Sequence, residues 1–138
     1  MSNLKIAKEI SLPLAVVTET VAILAKRRVG KSYTMRRLVE QLFKNGQQVV
    51  LVDPKGDQWG VRSSADGKSP GLPIVILGGE HGDTPLEVGG GEVVAKLVVE
   101  ERVSILIDLS TFRKHEVSTF MTAFLENLYR LKAHTFIE

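Results

Sequence analysis

Four short apolar runs punctuate the chain: TVAILA at 20–25, QVVLVD at 48–53, PIVILGG at 73–79 and VSILID at 103–108. None alternates with polar residues, and near-continuous β-branched runs of this length predict strands buried on both faces. Between them the spacing becomes helical. Met35, Leu38, Val39 and Leu42 share one helical face, and Asn45-Gly46 supplies a stop. Val93, Val94, Leu97 and Val98 predict a shorter helix. Val117, Phe120, Met121, Phe124, Leu128 and Leu131 predict the longest, over about 114–133. Strands alternating with helices give an α/β fold, a mostly parallel sheet with helices on both faces and right-handed crossovers. The stretches 54–72 and 78–91 are rich in Gly, Pro and Asp and read as long loops. Loops after the carboxyl ends of parallel strands are where ligands bind. HTFIE at 134–138 begins a further apolar run, so the sheet reads as incomplete. Residues 1–11 read as a lead-in, and 12–138 as the N-terminal part of one α/β domain.

Composition narrows the class without naming it. The chain has 138 residues, 43% hydrophobic and 25% charged, with a mean hydropathy of +0.06. That suits one globular domain with a real core and argues against disorder. There is no cysteine, which excludes a disulfide scaffold and thiolate metal sites. The three histidines, His81, His115 and His134, are too widely spaced to suggest zinc. A net charge of +2 does not announce a nucleic-acid binder. The local clusters Lys26–Arg28, Arg36–Arg37 and Arg113–His115 read either as phosphate contacts or as solvated faces. The apolar stretch Leu12–Ala25 is broken by Thr18, Glu19 and Thr20 and is neither a membrane span nor a signal peptide. The chain reads as soluble and cytoplasmic, with no membrane partner.

The most specific chemistry lies at 25–32, where Ala25, Lys26, Arg27, Arg28, Val29, Gly30, Lys31 and Ser32 spell A-x-x-x-x-G-K-S. A buried strand precedes it and an amphipathic helix follows, which is the setting a phosphate-binding Walker A loop requires. Successive backbone N–H groups form an anion nest there, and the helix N-terminus adds about half a positive charge. Lys31 would reach the β- and γ-phosphates of ATP, and the Ser32 hydroxyl would ligate Mg²⁺. Gly30 keeps side chains away from the phosphates. Tyr33 and Thr34 follow on the helix, Tyr33 beside the nucleotide and Thr34 packing in the first turns. The alternative is a basic turn ahead of a surface helix. Taken with the strand pattern, the loop makes the fold P-loop NTPase-like.

An NTPase also needs a carboxylate at a strand end. Asp53 after VVLV and Asp108 after SILI both stand there, and either could equally cap the turn that follows it. Asp108 is the candidate Mg²⁺ acid. Asp53-Pro-Lys-Gly56 has the D-x-x-G form of GTPases, but no N-K-x-D motif accompanies it, so guanine specificity is not expected. Glu80, His81 and Asp83 occupy a glycine-rich loop and are either ligand-binding or ordinary polar loop residues. Trp59 and Arg62 either pack within their loop or stack on a ligand.

Four blocks, VAILAKRRVGKSYTMRRLVEQLF, VVLVDPKGDQWGVR, PIVILGGEHGDTPLE and ILIDLSTFRKHEVSTFMTAFLENLYRL, follow the order seen in HerA-type ATPases, and from about residue 12 onward the chain resembles that family. The resemblance implies a P-loop motor related to FtsK translocases, using ATP and Mg²⁺ to move double-stranded DNA as a ring homo-oligomer. It further implies a partner nuclease or a defence effector. It makes 25–32 the phosphate loop, with Lys31 and Ser32 its key side chains, and Asp53–Asp57 a family motif. The family has glycine where this chain has Ala25 and Arg28. Its Walker B strand would follow the helix ending near LYRL, so the reading is of an ATPase core cut before or within Walker B. Two other readings stay open. One is a non-catalytic nucleotide- or DNA-binding module derived from such a motor. The other is a small P-loop kinase with Asp53 or Asp108 near the metal and the 54–72 loop as a lid.

Overall fold

The structure is a computed structural model that describes residues 3–18, 22, 24, 31–63 and 67–135; at 18, 31, 32, 134 and 135 it describes the backbone alone. The chain divides into two compact units, 1–49 and 50–138. The predicted strand at 20–25 lies outside the described residues, save Ala22 and Leu24, which have no regular secondary structure.

The first unit begins with an antiparallel hairpin that the apolar runs did not predict. Strand β1 (Asn3–Ala7) pairs with β2 (Ile10–Pro13) around a turn at Lys8 and Glu9, with an irregularity between Lys5 and Ala7. Leu4 and Ile6 are buried while Asn3, Lys5 and Ala7 are exposed, the period-two pattern of a strand with one covered face. A 3-10 turn follows at Leu14–Thr18. Helix α1 (Lys31–Lys44) lies against β1, and the Lys5 backbone N–H donates to Gln41 Oε1 at 3.3 Å. Asn45-Gly46 ends α1 as expected. Gly46 sits at φ +71°, its N–H donates to the Phe43 carbonyl at 3.0 Å, and Gln47 N–H donates to Leu42 at 3.0 Å. That pair of bonds is a Schellman stop, which satisfies two carbonyls the helix leaves open.

The second unit holds a parallel sheet in the order β3-β5-β4, formed by β3 (Val50–Asp53), β4 (Val75–Leu77) and β5 (Ile105–Asp108). The predicted α/β class is therefore observed, with three of the four expected strands in place. β5 is central and buried along its whole length. In register, Val50 and Val75 lie opposite Ile105, and Asp53 lies opposite Asp108. Helix α2 (Gly91–Glu100) links β4 to β5, and α3 (Lys114–Thr135) follows β5. Both pack with Ile105, Ile107 and Leu77, through Val94, Ala95 and Val98 of α2 and Phe120 and Phe124 of α3. The alternate residues Leu106 and Ile76 face the other way and are buried too.

Helix α3 matches the expected stripe, since Phe120 and Phe124 are buried and Val117, Met121, Leu128 and Leu131 pack around them. It opens with Glu116 accepting the Arg113 N–H at 2.8 Å, half of a capping box. In α2 the stripe differs from the expected one. Val93 is 71% exposed, whereas Gly91, Val94, Ala95 and Val98 are buried. The phase is set by contact with α3: a Cβ on Gly91 would come within 2.6 Å of the Phe120 carbonyl oxygen and 2.7 Å of the Phe124 nitrogen. Residues at 91, 94, 95 and 98 share the face that can approach so closely, and 93 does not.

Candidate functional site

Helix α1 begins at Lys31, so the Gly-Lys-Ser sequence opens a 14-residue helix. Its first turn contains no acidic residue. Such an N-terminus leaves backbone N–H groups for an anion. Lys31 and Ser32 are its first two residues, Tyr33 is exposed and Thr34 half-buried. Ala25, Lys26, Arg27, Arg28, Val29 and Gly30 lie outside the described residues. The sequence pattern and the helix start fit a phosphate ligand on this first unit.

In the second unit the loops after all three strands converge on the carboxyl end of β5. Asp53 and Asp108 end neighbouring strands in register, and they are 2% and 1% exposed. Asp53 Oδ1 accepts the N–H groups of Lys55 at 3.0 Å and Gly56 at 2.9 Å, and Oδ2 accepts that of Gln58 at 2.8 Å. Asp53 thus caps its own turn, one of the two roles its position allowed. Its carbonyl also accepts the Leu109 N–H at 2.9 Å.

Asp108 also bonds its own turn, and other loops close on it as well. Its Oδ1 accepts the Ser110 N–H at 2.9 Å. Two glycines from the flanking loops close on it. A Cβ on Gly56 would come within 2.6 Å of Ser110 Oγ and 3.2 Å of Asp108 Oδ2, and a Cβ on Gly79 would overlap the Asp108 carboxylate. Both glycines have positive φ, +78° and +68°. No other residue type combines that backbone with so little bulk.

The loop after β4 is fastened by Asp83. Its carboxylate Oδ2 accepts the Ile76 N–H at 2.8 Å, and its own N–H donates to the Ile76 carbonyl at 2.8 Å. β4 is an edge of the described sheet, so Asp83 supplies partners to backbone groups that no strand covers there. The same carboxylate pairs with the Arg62 guanidinium. That hydrogen bond, then the one from Ile76, holds Asp83 below the ordinary aspartate range, although desolvation opposes them. Trp59 stacks on His81 with ring centroids 4.1 Å apart and planes 23° from parallel. Trp59 and Arg62 therefore engage the 78–84 loop rather than only packing within their own. The sequence singled out Trp59 with Arg62, and His81 with Asp83, but its linear order held no sign that the two groups would pair. Among the described residues, no group of three or more histidines, aspartates or glutamates is arranged to hold a metal ion. No helix among them is long and apolar enough to cross a membrane.

A family described as "Helicase HerA, central domain" matches residues 2–121. The chain belongs to that family. HerA central domains are ATPase motor-type modules, and the Gly-Lys-Ser helix start and the parallel sheet are the P-loop features expected of one. The match also takes in the β1–β2 hairpin. No curated protein and no solved structure matches the chain.

Proposed function

We propose that this HerA-family chain is the ATP-binding part of a DNA translocase motor, in which ATP hydrolysis drives movement along double-stranded DNA within a ring of like subunits. The observation that carries the reading is the helix that begins at Lys31, within the A-x-x-x-x-G-K-S motif at 25–32. ATP bound there as its Mg²⁺ complex supplies the phosphoryl group whose transfer powers the motor. The backbone N–H groups at the start of α1 would hold the phosphates, together with Ala25 to Tyr33. Lys31 would neutralise their charge and act as the catalytic side chain, and Ser32 would hold the metal. Of the two strand-end acids, Asp53 has both oxygens engaged by its own loop. In this reading Asp108, at the end of β5, is the candidate acid for Mg²⁺. A partner nuclease or defence effector, and a cytoplasmic setting, belong to the same reading.

The test is equilibrium binding of ATP with Mg²⁺ to the full chain and to its Lys31→Ala variant. Loss of one charged contact to phosphate predicts at least about tenfold weaker binding. Equal affinity in the two proteins would remove the phosphate loop from the reading. Titration with duplex DNA at several salt concentrations checks the other half, since contacts to phosphate make affinity fall steeply with salt. ATP binding with no DNA affinity at any salt would turn the reading towards a nucleotide-binding module without motor function.

A further inference from the structure

β3 and β4 are not neighbours; they flank β5 on either side. A contact between the loops that follow them must therefore pass across the carboxyl end of β5. Among the described residues, the Trp59–His81 stack and the Arg62–Asp83 ion pair are such contacts. At that strand end the Asp108 carboxylate is 1% exposed, with the backbones of Gly56 and Gly79 against it. We propose that the segments 56–62 and 79–83 form a strap that closes over the carboxyl end of β5 and shields Asp108, and that opening the strap is what admits a ligand there.

The strap has firm roots and a weak fastening. At one root, three N–H groups bind Asp53; at the other, Asp83 bonds both polar backbone groups of Ile76. At the 61–72 end, Gly71 N–H donates to the Arg62 carbonyl at 2.8 Å and Leu72 N–H to Val61 at 2.9 Å. The fastening itself is exposed: the Arg62 and Asp83 side chains are 40% and 39% accessible, and Trp59 is 43% exposed. A surface ion pair and a single ring contact are each weak interactions. The fastening can therefore part while the roots and the sheet stay folded. Because its pairing keeps Asp83 below the ordinary aspartate range, the carboxylate stays charged at neutral pH. A ligand or raised salt, rather than a change within the neutral pH range, opens the strap. This inference does not rest on the nucleotide reading, since every group in it belongs to the second unit.

Carboxyl labelling of the full chain with a carbodiimide and a small amine, read residue by residue by mass spectrometry, tests the strap. In the unaltered protein Asp108 should label far more slowly than the exposed Asp57. Arg62→Ala removes an exposed side chain and keeps the fold, and it should raise Asp108 labelling by roughly threefold or more. Adding His81→Leu should raise it by about tenfold or more. Trp59, the one tryptophan in the chain, should change its emission as the stack is lost. Amide hydrogen exchange in α2 and α3 should stay as in the unaltered protein. Asp108 labelling that is unchanged in Arg62→Ala, or in the double variant once Trp59 emission has changed, would overturn the proposal. So would Asp108 labelling in the unaltered protein at the rate of Asp57. If the double variant loses its helix protection, the single variant and the salt dependence of Asp108 labelling in the unaltered protein decide the matter. Labelling that does not rise with salt and does not rise in Arg62→Ala counts against the strap.

Discussion

Gly46 and Gly79 share nearly the same backbone, at φ +71° and +68°, yet different surroundings give them different roles. Nothing lies within 4 Å of a Cβ built on Gly46, so it is there only to let the chain turn out of α1. At Gly79 the same atom would overlap the Asp108 carboxylate. Gly46→Ala should therefore cost about 1 kcal/mol, the strain of a left-handed alanine. Gly79→Ala should cost about 2–4 kcal/mol, because strain and overpacking add. Urea denaturation of the two variants checks the difference, and equal costs would mean that Gly79 does not press on Asp108. Asp83 shows what a charge does at this scale. Its folded value is lowered, so the stability it contributes is present above the ordinary aspartate range and lost as pH falls through the lowered value. The stability difference between the unaltered protein and Asp83→Asn should be flat from about pH 8 to about pH 5 and shrink in more acid solution. A difference that grew on acidification would contradict the Arg62 pairing.

Among the elements, α2 shows where reading by pattern fails. Four apolar residues, Val93, Val94, Leu97 and Val98, fit a short helical stripe, and nothing in the pattern says that a glycine leads the buried face. The structure puts Gly91 against the backbone of α3 and turns Val93 to solvent. Gly91→Ala should accordingly cost about 1–3 kcal/mol by forcing the helices apart. Val93→Ser, on the exposed face, should change stability by no more than about 0.5 kcal/mol. Thermal unfolding of both variants is the check, and a large loss for Val93→Ser would restore the stripe read from the sequence. The long helix α3 was readable because its six apolar positions repeat over several turns, which leaves one consistent face. The hairpin β1–β2 was not, because its strands of 5 and 4 residues carry only Leu4 and Ile6 as buried residues.

At the scale of the whole molecule, family membership and the start of α1 make a binding prediction that does not depend on any one contact. A ligand that binds only the folded chain stabilises it by mass action. ATP with Mg²⁺ at a hundred times its dissociation constant should add about 2.7 kcal/mol to the stability of the unaltered protein. At the same ATP concentration Lys31→Ala should gain about 1.4 kcal/mol less, the free-energy equivalent of tenfold weaker binding. Thermal shift in the presence and absence of ATP measures both. Equal shifts in the two proteins would mean that nucleotide is held without the phosphate loop.

Local physics sufficed for the strand runs at 48–53, 73–79 and 103–108, the course of α3, the Asn45-Gly46 stop and a helix opening at Gly-Lys-Ser. Each depends on side-chain period or on a backbone preference within a few residues, and such signals are written along the chain. The sequence also placed Asp53 and Asp108 at strand ends, but it could not separate their roles. The tertiary structure separates their surroundings, because these depend on which loops meet each carboxylate. Asp53 is bound by its own turn, while Asp108 lies under glycines that are 52 and 29 residues away in sequence, counting 108 − 56 and 108 − 79. The strand order β3-β5-β4 brings those distant loops together over one strand end. Strand order is a property of long-range pairing, which no local pattern encodes.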